Sequence, residues 1–228
     1  MRKHTSLARA ASALTVLLGL SMLAAPAPTA HAEDTGTTLT TLYDAQGTST
    51  IGSIGSSLPI GPTVLTETLD IPTSNIIDGT LPIPSQQVQF NALGFIPIRA
   101  TVSLVQVGPI TGTLRPGTVP RSNAVTANVH YTIRLSNVKA LIFGIWTPMF
   151  VGDNCRTAAP VDITVKTPDG QTFNVFSGGP VAGTYTIGDF TGCSAFFIPG
   201  VGSLAINAMV PGSNNTIALQ LSNGRYPA

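Results

Sequence analysis

Ala124-Val125-Thr126-Ala127-Asn128-Val129-His130-Tyr131-Thr132-Ile133-Arg134-Leu135-Ser136-Asn137-Val138 is the clearest alternation in the chain. Val125, Ala127, Val129, Tyr131, Ile133 and Leu135 fall on one side, and Thr126, Asn128, His130, Thr132, Arg134 and Ser136 on the other. Successive strand side chains point to opposite faces, so the pattern predicts a long antiparallel strand with one buried and one wet face. The same period runs through Ile96, Ile98, Ala100, Val102 and Leu104, through Val88, Phe90 and Ala92, and through Val161, Ile163 and Val165. After the last of these, Thr167-Pro168-Asp169-Gly170 reads as a tight turn that pairs the strand with Gln171 to Phe176. Further strands are predicted near 38–43, 63–71, 182–188, 201–210 and 214–222. About ten short strands between Gly, Pro and Asn clusters predict an antiparallel β-sandwich, with a β-barrel as the alternative.

Composition supports that class. The 228 residues are 43% hydrophobic but only 9% charged, against about 25% charged in an ordinary soluble domain. With 23 Gly and 18 Pro, long helices, coiled coils and helical repeats are disfavoured.

Residues 1–32 read as a cleaved secretory signal peptide. Arg2, Lys3 and Arg9 form a basic start, Ala10 to Ala25 is an uncharged run rich in Leu and Ala, and Ala30-His31-Ala32 supplies a small-x-small cleavage site. The 16-residue run falls short of the roughly 20 needed to span a bilayer. No Cys follows it for lipidation and no apolar tail precedes Ala228, so a secreted, extracellular protein without a transmembrane segment is expected. Removing three of the 11 basic residues leaves 8 against 10 acids, a formal charge of −2 on residues 33–228. Such a balance, with only Lys139 and Lys166 as lysines, offers no field for DNA, RNA or an anionic membrane. Solubility falls to hydroxyls and amides, with 27 Thr after residue 32.

Residues 33–228 are expected to form a single all-β domain. Arg115-Pro116-Gly117-Thr118-Val119-Pro120-Arg121 is the most linker-like segment, so a subdivision near 115–123 is the alternative. Ile51 to Ser57 reads as a low-complexity loop or edge strand; no Gly-Lys-Ser/Thr follows to make it a phosphate loop.

Cys155 and Cys193 are the only cysteines. In an exported chain an isolated pair predicts one disulfide, since a metal site would need further ligands and only one His follows residue 32. No metal and no cofactor is therefore expected, and no calcium-loop pattern occurs. His130 sits on the polar side of its strand without a G-x-S-x-G elbow, so a solvent-facing role is preferred to general-base catalysis. Asp153 and Asp189 each stand just before a half-cystine, and the bridge would bring both towards Arg156. Paired carboxylates can perform acid/base hydrolysis, but charges beside a staple are more often structural, so no catalytic residue is assigned.

Ala140-Leu141-Ile142-Phe143-Gly144-Ile145-Trp146-Thr147-Pro148-Met149-Phe150-Val151 is apolar on both sides of any strand and holds the sole Trp. A short continuous apolar run favours a central core strand. Exposed instead, Phe143, Trp146, Phe150 and the nearby Phe196 would form a hydrophobic contact surface for a lipid, membrane or protein.

Two stretches carry a resemblance. G-D-N-C-R-T-A-A-P at 152–160 and G-G-P-V-A-G-T-Y-T-I-G-D-F-T-G-C at 178–193, with L-P-I-P-S-Q-Q-V-Q-F-N-A-L-G-F-I-P-I-R-A-T-V at 81–102, are similar to an uncharacterised group of exported actinobacterial proteins. In that group a "C-R-T-x-x-P" half-cystine pairs with a "G-T-Y-T-I-x-x-F-x-G-C" one. The resemblance implies secretion, an all-β fold and the Cys155–Cys193 bridge, and it carries over no catalytic residue.

The expectation is a secreted, non-enzymatic β-sandwich, monomeric or weakly associating, with an extracellular or envelope-associated binding or structural role. Its partner is an unspecified extracellular or envelope component. The leading alternative is a carrier of lipid or a small hydrophobic ligand through Phe143, Trp146, Phe150 and Phe196, and the next a hydrolase using Asp153 and Asp189.

Overall fold

The computed structural model describes residues 37–227 other than 93, 121, 196 and 197. The predicted signal at 1–32 and Phe196 lie outside the described residues, which belong to one unit, Gly36–Ala228. The first half of the chain holds β1 (Thr38–Ile51), β2 (Ser56–Asp70), β3 (Asn75–Thr80), β4 (Ile83–Ala92), β5 (Ile96–Gln106) and β6 (Thr111–Pro116). The second holds β7 (Asn123–Ile142), β8 (Ile145–Pro148), β9 (Arg156–Thr157), β10 (Val161–Lys166), β11 (Gly178–Ile187), β12 (Phe190–Thr191), β13 (Ser194–Ala195), β14 (Ile198–Pro199), α1 (Val201–Asn207) and β15 (Gly212–Arg225). The fold is all-β and antiparallel, with one disulfide.

The decisive stretch is the 20-residue β7. Val125, Ala127, Val129, Tyr131 and Ile133 are buried while Thr126, Asn128 and Arg134 are exposed, as the alternation requires. The strand forks. Its first half pairs with β6 on one edge and β10 on the other; its second half pairs with β5, which carries β4. The hydrogen-bonded path therefore runs from β7 through β10, β11, β15, β1, β2, β3 and β6 back to β7, while β5 and β4 leave it as a branch. The return through β7 satisfies the backbone groups that an open edge would expose. The branch keeps the fold from being a clean barrel.

Apolar side chains from every layer meet inside, including Tyr43, Ile60, Tyr131, Phe173, Ile187 and Leu219. The Tyr43 and Phe173 rings lie 5.8 Å apart, and the Tyr43 hydroxyl donates to the Val175 carbonyl at 2.6 Å. The Tyr131 hydroxyl donates to the Leu81 carbonyl at 2.7 Å. Each buried hydroxyl thus keeps a partner. Cys155 and Cys193 are both buried and joined, Sγ to Sγ, at 2.09 Å, beside the short β9–β12 pairing.

Two local expectations are corrected. β10 pairs with β7 and β11, not with Gln171 to Phe176: Ile163 faces Val129 on one side and Tyr185 on the other. Phe173 instead bridges Asn123 and plugs the interior, because burying that ring outweighs a short hairpin. Residues 201–210 form α1 and the turn after it rather than a strand. Gly202 permits this, since a Cβ there would stand 2.0 Å from the Ser194 carbonyl oxygen, so only glycine lets the helix lie on that backbone. In the most linker-like segment, Arg115 pairs with Ala124 and Pro116 with Asn123 in the β6–β7 ladder.

Candidate contact surface at two hairpin tips

The apolar run 140–151 is not a central core strand. It is the end of β7, a two-residue turn and β8, with Ala140 facing Thr147, Leu141 facing Trp146 and Ile142 facing Ile145. Phe143 and Gly144 both have positive φ, 49° and 80°, the backbone of a tight hairpin turn that matches strand twist. The turn places the run's apolar residues at a tip. Phe143 is 100% exposed and Ile145 70%, whereas Phe150, 50% exposed, lies beyond the end of β8 and away from the tip. Left-handed backbone costs a bulky residue about 1–2 kcal/mol relative to glycine. A fully exposed ring recovers none of that by packing within the chain.

A second tip stands beside the first. β4 and β5 meet at Ala92 and Ile96 through a turn in which Gly94 has φ 80° and Phe95 is 73% exposed. Because Ile98 faces Ala140 and Arg99 faces Lys139, the two hairpins end together. Phe95 lies four residues beyond Arg99 and Phe143 four beyond Lys139, about 13 Å at the rise of a strand.

The outward aim of Lys139 comes from a bulge. Leu135 faces Val102 and Ser136 faces Thr101, but the register then slips, so that Lys139 rather than Val138 meets Arg99. Asn137, at φ 50°, takes the left-handed backbone that Asn tolerates best among the larger residues. Without that extra residue Lys139 would share the inward parity of Leu135. With it, Arg99 and Lys139 are exposed together. The Arg99 guanidinium lies 4.1 Å from the centre of the half-buried Trp146 ring, and its Nε donates to Gln89 Oε1 at 3.0 Å.

On the opposite side Ala92, Ile98 and Ala140 form a small apolar cluster with Phe90, Ile96, Val138, Met149 and Met209. Ile206 and Met209 cover it from α1 and the turn after it, leaving a groove of about 80 Å³. Drug-sized ligands occupy roughly 300–1,000 Å³.

The sequence candidates around the disulfide are less assembled. Asp153, Arg156 and Asp189 are all exposed, and no ion pair among the described residues joins them. The bridge region does bring the backbone together: Thr191 faces Arg156, and the Ala158 N–H donates to the Asp189 carbonyl at 2.8 Å. Asp153 lines one depression with Lys139 and Phe150 instead. His130 faces Asp162 across β7 and β10, Nδ1 to Oδ1 2.5 Å, on the wet face. No cluster of three or more His, Cys, Asp or Glu able to hold a metal occurs among the described residues. No helix there is long and apolar enough to cross a membrane.

Two features escaped the sequence reading although their signals were present. Glu67 alternates with Leu65 and Leu69 and so belongs to the inward side of β2, where it is 8% exposed. Burial pushes its carboxyl up to about 7, an effect that the nearby Tyr43 opposes. It lines a small interior cavity of about 50 Å³ with Tyr131 and the central aliphatic residues. The second feature is a charge asymmetry. From Gly79 to Gly152 there is no Asp or Glu, but there are Arg99, Arg115, Arg121, Arg134 and Lys139. The near-zero total conceals this segment, which contains both hairpin tips.

These features define an all-β, disulfide-stapled domain that projects two aromatic hairpin tips from one end. No family model, curated protein or solved structure matches the chain.

Proposed function

We propose that the chain is an exported, non-enzymatic binding module of the cell envelope, whose contact with an apolar partner is made by the paired hairpin tips. The observation that carries this reading is Phe143, fully exposed on a turn whose backbone disfavours it, with the exposed Phe95 on the neighbouring tip. A residue that costs stability and packs against nothing in its own chain is accounted for by a contact outside it. The signal-like residues 1–32 and the disulfide support export. A carrier is less well supported, because the groove under α1, at about 80 Å³, is small for a lipid chain. The exposed and unassembled Asp153, Arg156 and Asp189 lend the hydrolase little support.

The test is association with micelles of a neutral detergent, followed through Trp146 emission in residues 33–228. Association that weakens at least tenfold in the Phe95→Ser/Phe143→Ser double variant supports the tips as the apolar contact. Equal behaviour of the two proteins overturns it.

A further inference from the structure

We infer that the partner of these tips is an anionic lipid surface, into which Phe95, Phe143 and Ile145 insert while Arg99 and Lys139 lie at headgroup depth. This rests on the binding-module reading above and names its partner.

Three independent observations converge on it. The first is geometric: the exposed apolar groups Phe95, Phe143 and Ile145 lie at one end, and both phenylalanines stand about 13 Å beyond a cation on their own strand. That spacing is comparable to the depth from headgroup to upper acyl chain at which interfacial residues settle. The second is charge. The β4–β5 and β7–β8 hairpins carry no carboxylate, and their exposed cations Arg99 and Lys139 stand together behind the tips, so this end is positive on a chain with an acidic excess elsewhere. Arg115, by contrast, pairs with Ala124 at the opposite end of β7. Asp153, beside Lys139 in one depression, is the nearest acid in sequence to the β7–β8 hairpin. The third is Trp146, held between tip and cations with the Arg99 guanidinium on its ring. Indole rings favour that boundary, where one part of the ring is wet and the other apolar.

The bulge at Asn137 is what joins the two halves of the surface. It turns Lys139 outward beside Arg99 while keeping Val138 and Ala140 inward. An apolar tip alone would suit any hydrophobic partner. The matched pair of cations behind it selects for negative headgroups, each contributing about fivefold in binding at low salt.

The experiment uses residues 33–228 with sedimenting vesicles of phosphatidylcholine alone and of phosphatidylcholine with 30% phosphatidylglycerol (roughly the charge density at which polybasic segments bind), reading bound protein and Trp146 emission. Expected are binding to the anionic vesicles with a blue shift, at least tenfold weaker binding to the neutral ones, and loss of most anionic binding in about 0.5 M salt, where screening is nearly complete. Arg99→Gln/Lys139→Gln should lower the protein sedimenting with anionic vesicles about twentyfold. Equal binding to both vesicle types would overturn the inference while leaving the apolar-contact reading intact. Binding to neither, with micelle association retained, would overturn it as well and point the tips to a protein. Failure of vesicle and micelle association together would overturn both readings. Circular dichroism of each variant separates lost binding from lost folding.

Discussion

Arg99 and Trp146 are stacked, guanidinium to ring centre 4.1 Å, although they lie on different hairpins and 47 residues apart in the chain. The contact ties β5 to β8 across β7 and fixes the orientation of the one indole in the protein. An exposed cation–π pair contributes about 0.5–1 kcal/mol. Arg99→Ala should therefore lower the urea unfolding midpoint only slightly while changing the intensity and position of Trp146 emission in the folded state. Unchanged emission would mean that the stacking does not persist in solution.

Phe143 offers a trade between stability and contact. Asn and Gly accept the left-handed backbone of the turn far better than Phe. Phe143→Asn should raise the unfolding free energy by about 1 kcal/mol, visible as a higher midpoint in urea, while weakening association with apolar surfaces. A destabilised variant would show that the ring packs within the chain.

Glu67 makes stability depend on pH. Its carboxyl titrates near 7 in the folded protein, against 4.5 as its ordinary value, because burial disfavours the charged form. Below about pH 4.5 the group is protonated in both states and costs nothing. Between 4.5 and 7 only the unfolded state loses the proton, so stability falls, and above 7 the full cost, about 3 kcal/mol, is in force. Glu67→Gln mimics the protonated form and should be more stable than wild type at pH 8 by up to that amount, converging with it near pH 4. Parallel unfolding free energies across that range would contradict the buried carboxyl.

The disulfide closes a long loop. With a sequence separation of 38 between Cys155 and Cys193, chain entropy assigns it about 4 kcal/mol. Both sulfurs are buried, so the comparison is best made with Cys155→Ala/Cys193→Ala as well as with reductant in mild urea. A midpoint that does not move in either would make the bridge dispensable.

Legibility tracked how local the determinants were. The alternation in β7, β5, β4 and β10 could be read directly, because side-chain direction in a strand depends only on position. The disulfide was legible because the chain offers no other pairing. Ile142-Phe143-Gly144-Ile145 was misjudged because an apolar run looks the same whether it fills a core or crosses a turn, and Phe-Gly is not a usual turn pair. The helix at Val201–Asn207 was missed because it forms where Gly202 can touch the Ser194 backbone, a contact outside its own sequence. Glu67 and the acid-free segment were legible, the one in a strand predicted near 63–71 whose two faces were not told apart, the other within a near-zero total charge.

The sequence by itself determined the all-β class, the inward and outward faces of the long strands and the single bridge, since these follow from period, composition and cysteine count. Only the tertiary structure decided that β7 forks between the ring of strands and the β4–β5 branch, and that two hairpins end side by side. It likewise set Lys139 beside Arg99 behind two exposed phenylalanines. Those outcomes depend on which strands pair and where one register slips, and both are settled by burying the most apolar surface across residues far apart in the chain.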